Sequence, residues 1–70
     1  MRAGRANVRF SDLVSLVLHI GYTHSRTTGS HMIFTYPGRP VLSLQPVRGK
    51  AKPYQVRQVL DVIEQYGIEV

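Results

Sequence analysis

The chain lacks the features that characterise several large classes of protein. It has no cysteine among its 70 residues, which excludes disulfides and thiolate metal sites. No apolar run approaches the ~20 residues that cross a bilayer. Asp12, Ser15 and His19 interrupt the amino-terminal apolar run, which is therefore not expected to act as a secretory signal. We expect a single cytoplasmic domain with a thin core, no membrane association, and neither a metal nor another cofactor.

Acidic residues are also scarce, and the charge is unevenly distributed. Four Asp and Glu stand against nine Lys and Arg, which gives a net charge of +5. Residues 1–52 hold eight Lys or Arg and only one carboxylate, a net +7, whereas residues 53–70 hold one Arg and three carboxylates, a net −2. A basic segment of this kind attracts polyanions such as nucleic acid, or an acidic protein partner.

The first half of the chain is predicted to contain a disordered arm and a helix. Residues 1–7 have no apolar periodicity, so we expect a disordered basic arm there and a folded domain over residues 8–70. Ser11 is the predicted N-cap of the first helix, and Gly21 is predicted to end it. The apolar residues at helical spacing are Leu13, Leu16, Val17 and Ile20.

Three strands and a second helix are predicted to follow. Residues 22–26, 31–36 and 41–45 alternate in polarity between short turn sequences, as antiparallel strands do. Pro53 is suited to the first position of a helix that Gly67 ends. The predicted fold class is α+β, in the order α-β-β-β-α, with a three-stranded antiparallel sheet and both helices on one of its faces.

The alternation also predicts which strand residues face solvent. The helices are expected to cover Met32, Phe34, Tyr36, Leu42 and Leu44, which leaves His31, Ile33, Thr35, Ser43 and Gln45 on the open face. Imidazole is the side chain best suited to proton transfer at neutral pH, so an exposed His31 is a candidate general acid or base. The alternative interpretation is an ordinary surface histidine.

The roles of the other histidines depend on the hairpin register. If Arg26 lies opposite His31, His24 lies beside His31. If Ser25 lies opposite His31, His24 turns inward, and we favour this register because it places Tyr22 beside Phe34. His19 is expected to lie at the boundary of the first helix, and the three histidines have no metal-ligand spacing.

Several short motifs occur together in an order typical of one family. They are Gly21-Tyr22; Arg26, Gly29, Ser30, His31, Ile33 and Phe34; Pro37; the Leu-Ser-Leu-Gln strand at 42–45; and Gly-Lys-Ala-Lys-Pro-Tyr-Gln-Val-Arg-Gln at 49–58. From Val8 to its end, the chain resembles the HicA-type toxins through these motifs.

The resemblance implies a fold like that of double-stranded-RNA-binding domains, and metal-independent cleavage of mRNA. It also implies inhibition by a HicB-type antitoxin, and His31 as the catalytic residue. Positive charge is needed beside the developing phosphorane. The predicted RNA-binding residues are Arg26, Ser30, Arg48, Lys50 and Lys52.

The chain departs from the family pattern at two positions. Many relatives have a second histidine where this chain has Met32, and a histidine where it has Arg48. These departures favour an alternative function, a non-catalytic RNA-binding module with the same fold. A third possibility, a purely protein-binding subunit, is favoured by the exposed strand edge but leaves the basic segment unexplained.

Overall fold

The computed structural model describes residues 8–69, so the predicted arm over residues 1–7 lies outside the described residues. The elements follow in the order α-β-β-β-α, which confirms the predicted α+β fold. They are α1 (Phe10–His19), β1 (Thr23–Thr28), β2 (His31–Thr35), β3 (Leu42–Leu44) and α2 (Pro53–Gln65).

Helix α1 begins earlier than predicted. Its N-cap is Arg9, with no side-chain capping hydrogen bond, so the prediction of Ser11 as N-cap was wrong. The reason is a tertiary contact: Arg9 pairs antiparallel with Lys50, and the Phe10 N–H donates to the Gly49 carbonyl at 2.9 Å. A distant strand-like segment thus satisfies one of the N–H groups at the start of the helix that have no partner within the helix.

Both helices end at the predicted glycines. Gly21 has φ +105°, and the N–H of Tyr22 donates to the Val17 carbonyl at 3.2 Å. Gly67 has φ +62°, and the N–H of Ile68 donates to Ile63 at 3.0 Å. This is the Schellman arrangement, in which a glycine in the left-handed region closes the helix.

The sheet has the strand order β1-β2-β3, and both strand pairs are antiparallel. Thr28, rather than Ser25 or Arg26, lies opposite His31, so both predicted registers were wrong. The physical reason is that Gly29 and Ser30 alone form the turn, with Gly29 at φ +60°. A bulge between His24 and Arg26 then shifts the register along β1.

One face of the sheet packs against both helices. Phe34, Leu42 and Leu44 are fully buried there, and Met32 and Tyr36 pack against them as predicted. The helices contribute Phe10, Leu13, Val17, Ile20, Val56, Val59 and Val62 to the same core. The opposite, outer face carries Ile33 and Ser43, which pair with each other across β2 and β3. The molecule is therefore two layers thick, 16 Å in its shortest dimension.

The carboxyl end of β2 is closed by side-chain contacts. The guanidinium of Arg39 lies 3.8 Å from the ring centroid of Tyr36, and its Nη1 donates to the Ile20 carbonyl at 3.2 Å. The Tyr22 hydroxyl donates to the Pro40 carbonyl at 2.8 Å. These contacts tie the β2–β3 turn to the end of α1.

Candidate nucleic-acid interface

His31 is the first residue of β2, and its side chain is exposed. Its neighbour Met32 lies opposite Leu44 on the inner face, so the alternation of the strand directs His31 to the outer face. This confirms the predicted orientation. Among the described residues, none of the side-chain hydrogen bonds involves the His31 imidazole. Both ring nitrogens are therefore available to a ligand.

The turn before His31 is fixed by a hydrogen bond that the sequence does not reveal. Nε2 of Gln45 donates to the Ser30 hydroxyl at 2.7 Å. Gln45 follows β3, so this bond joins the β1–β2 turn to the far side of the sheet. Gln45 was predicted to lie on the open face but not to belong to the site.

Arg26 lies on the same face as His31 because the two-residue turn sets an unbroken register from Thr28 to Arg26. Its partner across the strands is Ile33, an outer-face residue two positions from His31. Diagonal neighbours of this kind have Cα atoms roughly 7–8 Å apart, within reach of a long side chain. A guanidinium and an imidazole can therefore meet over one phosphate.

His24 lies on the other side of the sheet. Its ring packs on Phe34 with centroids 5.2 Å apart, and its Nε2 is 2.9 Å from the Thr27 hydroxyl oxygen. His24 thus shares the face of Phe34, as favoured, but its side chain is exposed, and the register that predicted this face was wrong. Met32 also faces inward and is half-buried. The side chain at position 32 therefore does not belong to the face of His31.

The segment after β3 forms a tight turn. Val47 and Lys50 exchange two backbone hydrogen bonds, of 2.9 and 3.0 Å. Arg48 at φ +54° and Gly49 at φ +78° occupy the two central positions, both in the left-handed region as in a type I′ turn. Arg48 is the only described residue other than glycine with a positive φ, and its side chain is exposed at the tip.

Arg9 joins this segment through backbone pairing. It forms a bridge with Lys50, and the Ala51 N–H donates to the Val8 carbonyl at 2.9 Å. We call Arg9, Arg48, Lys50 and Lys52 the basic cluster. All but the half-buried Lys52 are exposed. No local sequence signal identified Arg9, because its pairing partner lies about forty residues along the chain.

The predicted RNA-binding residues thus fall into two groups. Arg26 and Ser30 lie with His31 at one end of the outer face, whereas Arg48, Lys50 and Lys52 belong to the basic cluster. Gln45 hydrogen-bonds to Ser30, and only Pro46 separates it from the turn that begins at Val47. The two groups are therefore connected by a very short stretch of chain.

Residues 8–69 hold neither a cluster of metal-ligating side chains nor a membrane-spanning helix. They contain no group of three or more His, Asp or Glu side chains placed to hold a metal ion. No helix among them is long and apolar enough to cross a membrane.

Comparison with known proteins gives one family. The sequence model described as the HicA toxin of bacterial toxin-antitoxin matches residues 10–68, a span that includes every helix and strand described above. No curated protein and no solved structure matches the chain significantly.

Proposed function

The chain belongs to the HicA family of bacterial toxin–antitoxin toxins, and from that membership we propose that it is an endoribonuclease that cleaves mRNA in the cytoplasm. His31 is the catalytic residue, no metal ion takes part, and the inhibitory partner is a HicB-type antitoxin. The observation that supports this most strongly is the exposed imidazole of His31 on the outer face, with Arg26 diagonally across from it on β1.

The proposed reaction is an internal transfer at phosphorus. The His31 imidazole takes the proton of a 2′-hydroxyl while that oxygen forms a bond to the adjacent phosphorus. The bond from phosphorus to the 5′-oxygen of the next nucleotide breaks, and that oxygen takes a proton from the imidazolium or from water. The products are a 2′,3′-cyclic phosphate and a free 5′-hydroxyl.

The cationic residues have two tasks in this proposal. Arg26 stabilises the charge that develops on the phosphorane oxygens, a contribution that is larger in the transition state than in the bound substrate. The basic cluster holds phosphates of neighbouring nucleotides and sets the register of the RNA. The first turn of α2 adds the backbone N–H of Tyr54 beside Lys52, because Pro53 has no N–H and that of Gln55 already donates to the Lys52 carbonyl at 2.9 Å. Ser30 places His31 through its bond to Gln45.

The inward orientation of Met32 favours catalysis over the alternative of a non-catalytic RNA-binding module. Met32 packs against the core opposite Leu44, so its presence affects the buried side of the sheet. The Arg48 departure retains a cation at the tip of the turn, where phosphate binding needs one.

The decisive experiment compares the unmodified protein with His31→Ala on an unstructured RNA in the presence of a chelator. Loss of a general acid or base is expected to lower the cleavage rate on the order of 10²–10⁴-fold. His19→Ala is the matched control, because His19 is also exposed but lies on α1. Circular dichroism must show that all three proteins are folded.

The possible results separate the candidate functions. Cleavage lost only in His31→Ala supports the proposal, and equal cleavage by all three proteins contradicts the assignment of His31. Binding without cleavage by the unmodified protein would favour the RNA-binding module. A protein that binds the antitoxin but no RNA would be a protein-binding subunit.

The basic cluster is tested separately through the salt dependence of RNA binding. Lys50→Ala combined with Lys52→Ala is expected to lower the slope of log affinity against log salt by about one to two units, since each lost phosphate contact removes about 0.7–0.9. The control replaces both lysines with arginine, which keeps the charge. An unchanged slope would place the RNA elsewhere.

A further inference from the structure

Tyr54 is the most exposed large apolar side chain among the described residues. Its exposed fraction is 61%, although it lies in the first turn of α2, next to the folded core. Exposing an aromatic ring forgoes the burial that makes such side chains stabilising. The fold therefore gains little from a ring at this position.

The other tyrosines differ from Tyr54 in having structural partners. Tyr22 is buried, and its ring lies 5.7 Å from that of Tyr36. Tyr36 and Tyr66 both lie close to the Arg39 guanidinium, at 3.8 and 5.6 Å from their ring centroids. No aromatic ring in residues 8–69 packs on Tyr54.

The neighbour that Tyr54 does have belongs to the basic cluster. Nζ of Lys52 lies 5.7 Å from the centroid of the Tyr54 ring. An ammonium group near one face of a ring leaves the other face open to solvent. Only Pro53 separates Lys52 from Tyr54 in the sequence. Lys50 lies two residues before Lys52, and Arg9 is paired with Lys50. The ring thus stands at the border of a cationic surface.

A cationic surface that borders an exposed aromatic ring is the arrangement with which proteins bind single-stranded nucleic acid. The cations follow the phosphates, and each ring stacks on a base. In a duplex the bases are stacked on one another and offer no free face to a side chain. An exposed ring can therefore stack on an unpaired base but not on a base inside a duplex.

We propose that Tyr54 is a stacking residue for one unpaired base of an RNA strand whose phosphates the basic cluster holds. Tyr54 thereby gives the protein a preference for single-stranded over double-stranded RNA. This inference rests on the proposed function, because it requires that RNA is the ligand. It assigns to Tyr54 binding and specificity, not a step of the chemistry.

The test measures the binding of a fluorescein-labelled, unstructured 12-mer RNA and of its duplex by fluorescence anisotropy, in the His31→Ala background so that the RNA stays intact. Tyr54→Leu is expected to weaken binding of the single strand on the order of 5- to 100-fold. The slope against salt should not change, because no phosphate contact is lost. Tyr54→Phe keeps the ring and should bind like the parent, and duplex binding should be the same in all three proteins.

Tyr66→Leu is the matched control, because Tyr66 is also exposed but lies at the other end of α2. It should leave RNA binding unchanged. Single-strand affinity that survives Tyr54→Leu overturns the inference, as does an equal loss in Tyr54→Phe or an equal loss with the duplex. In those cases the proposed function is still tested by RNA cleavage with His31→Ala and by the salt dependence of RNA binding with the lysine variants. A parent protein that binds neither RNA overturns both.

Discussion

The two ends of strand β2 are built in opposite ways. At its carboxyl end Tyr36 is enclosed by Gly21, Tyr22 and Arg39, and these contacts join the sheet to the end of α1. At its amino end His31 is exposed, and the hydrogen bond beside it holds the turn rather than the imidazole. One end of the strand thus makes contacts that stabilise the fold, and the other end presents the exposed imidazole of His31. Substitutions at the two ends should therefore have separable effects.

The largest effect on stability is expected from Gly21→Ala. A Cβ at Gly21 would lie 2.8 Å from Cε2 of Tyr36, and φ is +105° there. The steric clash and the backbone strain together should lower the free energy of unfolding by about 2–4 kcal/mol. Urea denaturation measures this. Gly67→Ala is the control, since it occupies the same position after α2 at φ +62° with no atom within 4 Å. Equal losses in the two variants would show that the contact with Tyr36 contributes nothing.

A smaller loss is expected from Arg39→Met. The change removes the guanidinium from the face of Tyr36 and from the carbonyl of Ile20, while it keeps much of the apolar stem. The free energy of unfolding should fall by about 1–2 kcal/mol. Thermal melting of Arg39→Met and Arg39→Lys shows how much of the stability depends on the planar guanidinium rather than on the positive charge. A melting temperature unchanged in both would contradict the importance of the closed end.

The closed end should also be sensitive to alkaline pH. Burial raises the pKa of Tyr22 above its ordinary value of 10.0, although the charge of Arg39 opposes this. The unfolded chain therefore loses the Tyr22 proton at a lower pH than the folded protein does. Stability should fall as the pH rises above about 10. Tyr22→Phe lacks this proton and should lose less stability over the same range, as melting at several pH values would show. If the melting temperatures of the two proteins fell equally with pH, Tyr22 would not be the source of the loss.

The smallest effect on stability is expected at the open end. His31→Ala removes an exposed side chain that makes no hydrogen bond within the described residues. The free energy of unfolding should change by less than about 0.5 kcal/mol. The same urea experiments measure this value. A loss as large as that of Arg39→Met would mean that His31 has a structural role.

The sequence predicts best the features that are determined locally. The glycines that end the helices were predicted correctly, because a Schellman motif involves only six consecutive residues. The hairpin register was not predicted correctly. It depends on a turn of only two residues, Gly29 and Ser30, and on the bulge near Ser25. The start of α1 depends on pairing with Lys50, which no local pattern near Arg9 reveals.

The same distinction applies to the candidate site. The orientation of His31 follows from the alternation of a single strand, so it was predictable. The position of Arg26 beside it depends on the two-residue turn of Gly29 and Ser30, and the contribution of Gln45 requires contact across the sheet. The roles of these residues in RNA cleavage remain predictions.

The bulge in β1 also affects the tendency of the protein to self-associate. Strand β1 lies at an edge of the described sheet, and unpaired backbone groups at such an edge invite another chain to add as a strand. An extra residue near Ser25 interrupts the regular spacing of those groups and increases the local twist. A second copy would find only short, mismatched stretches to pair with. The irregularity that places His24 opposite Phe34 should thus also help to keep the molecules from aggregating edge to edge.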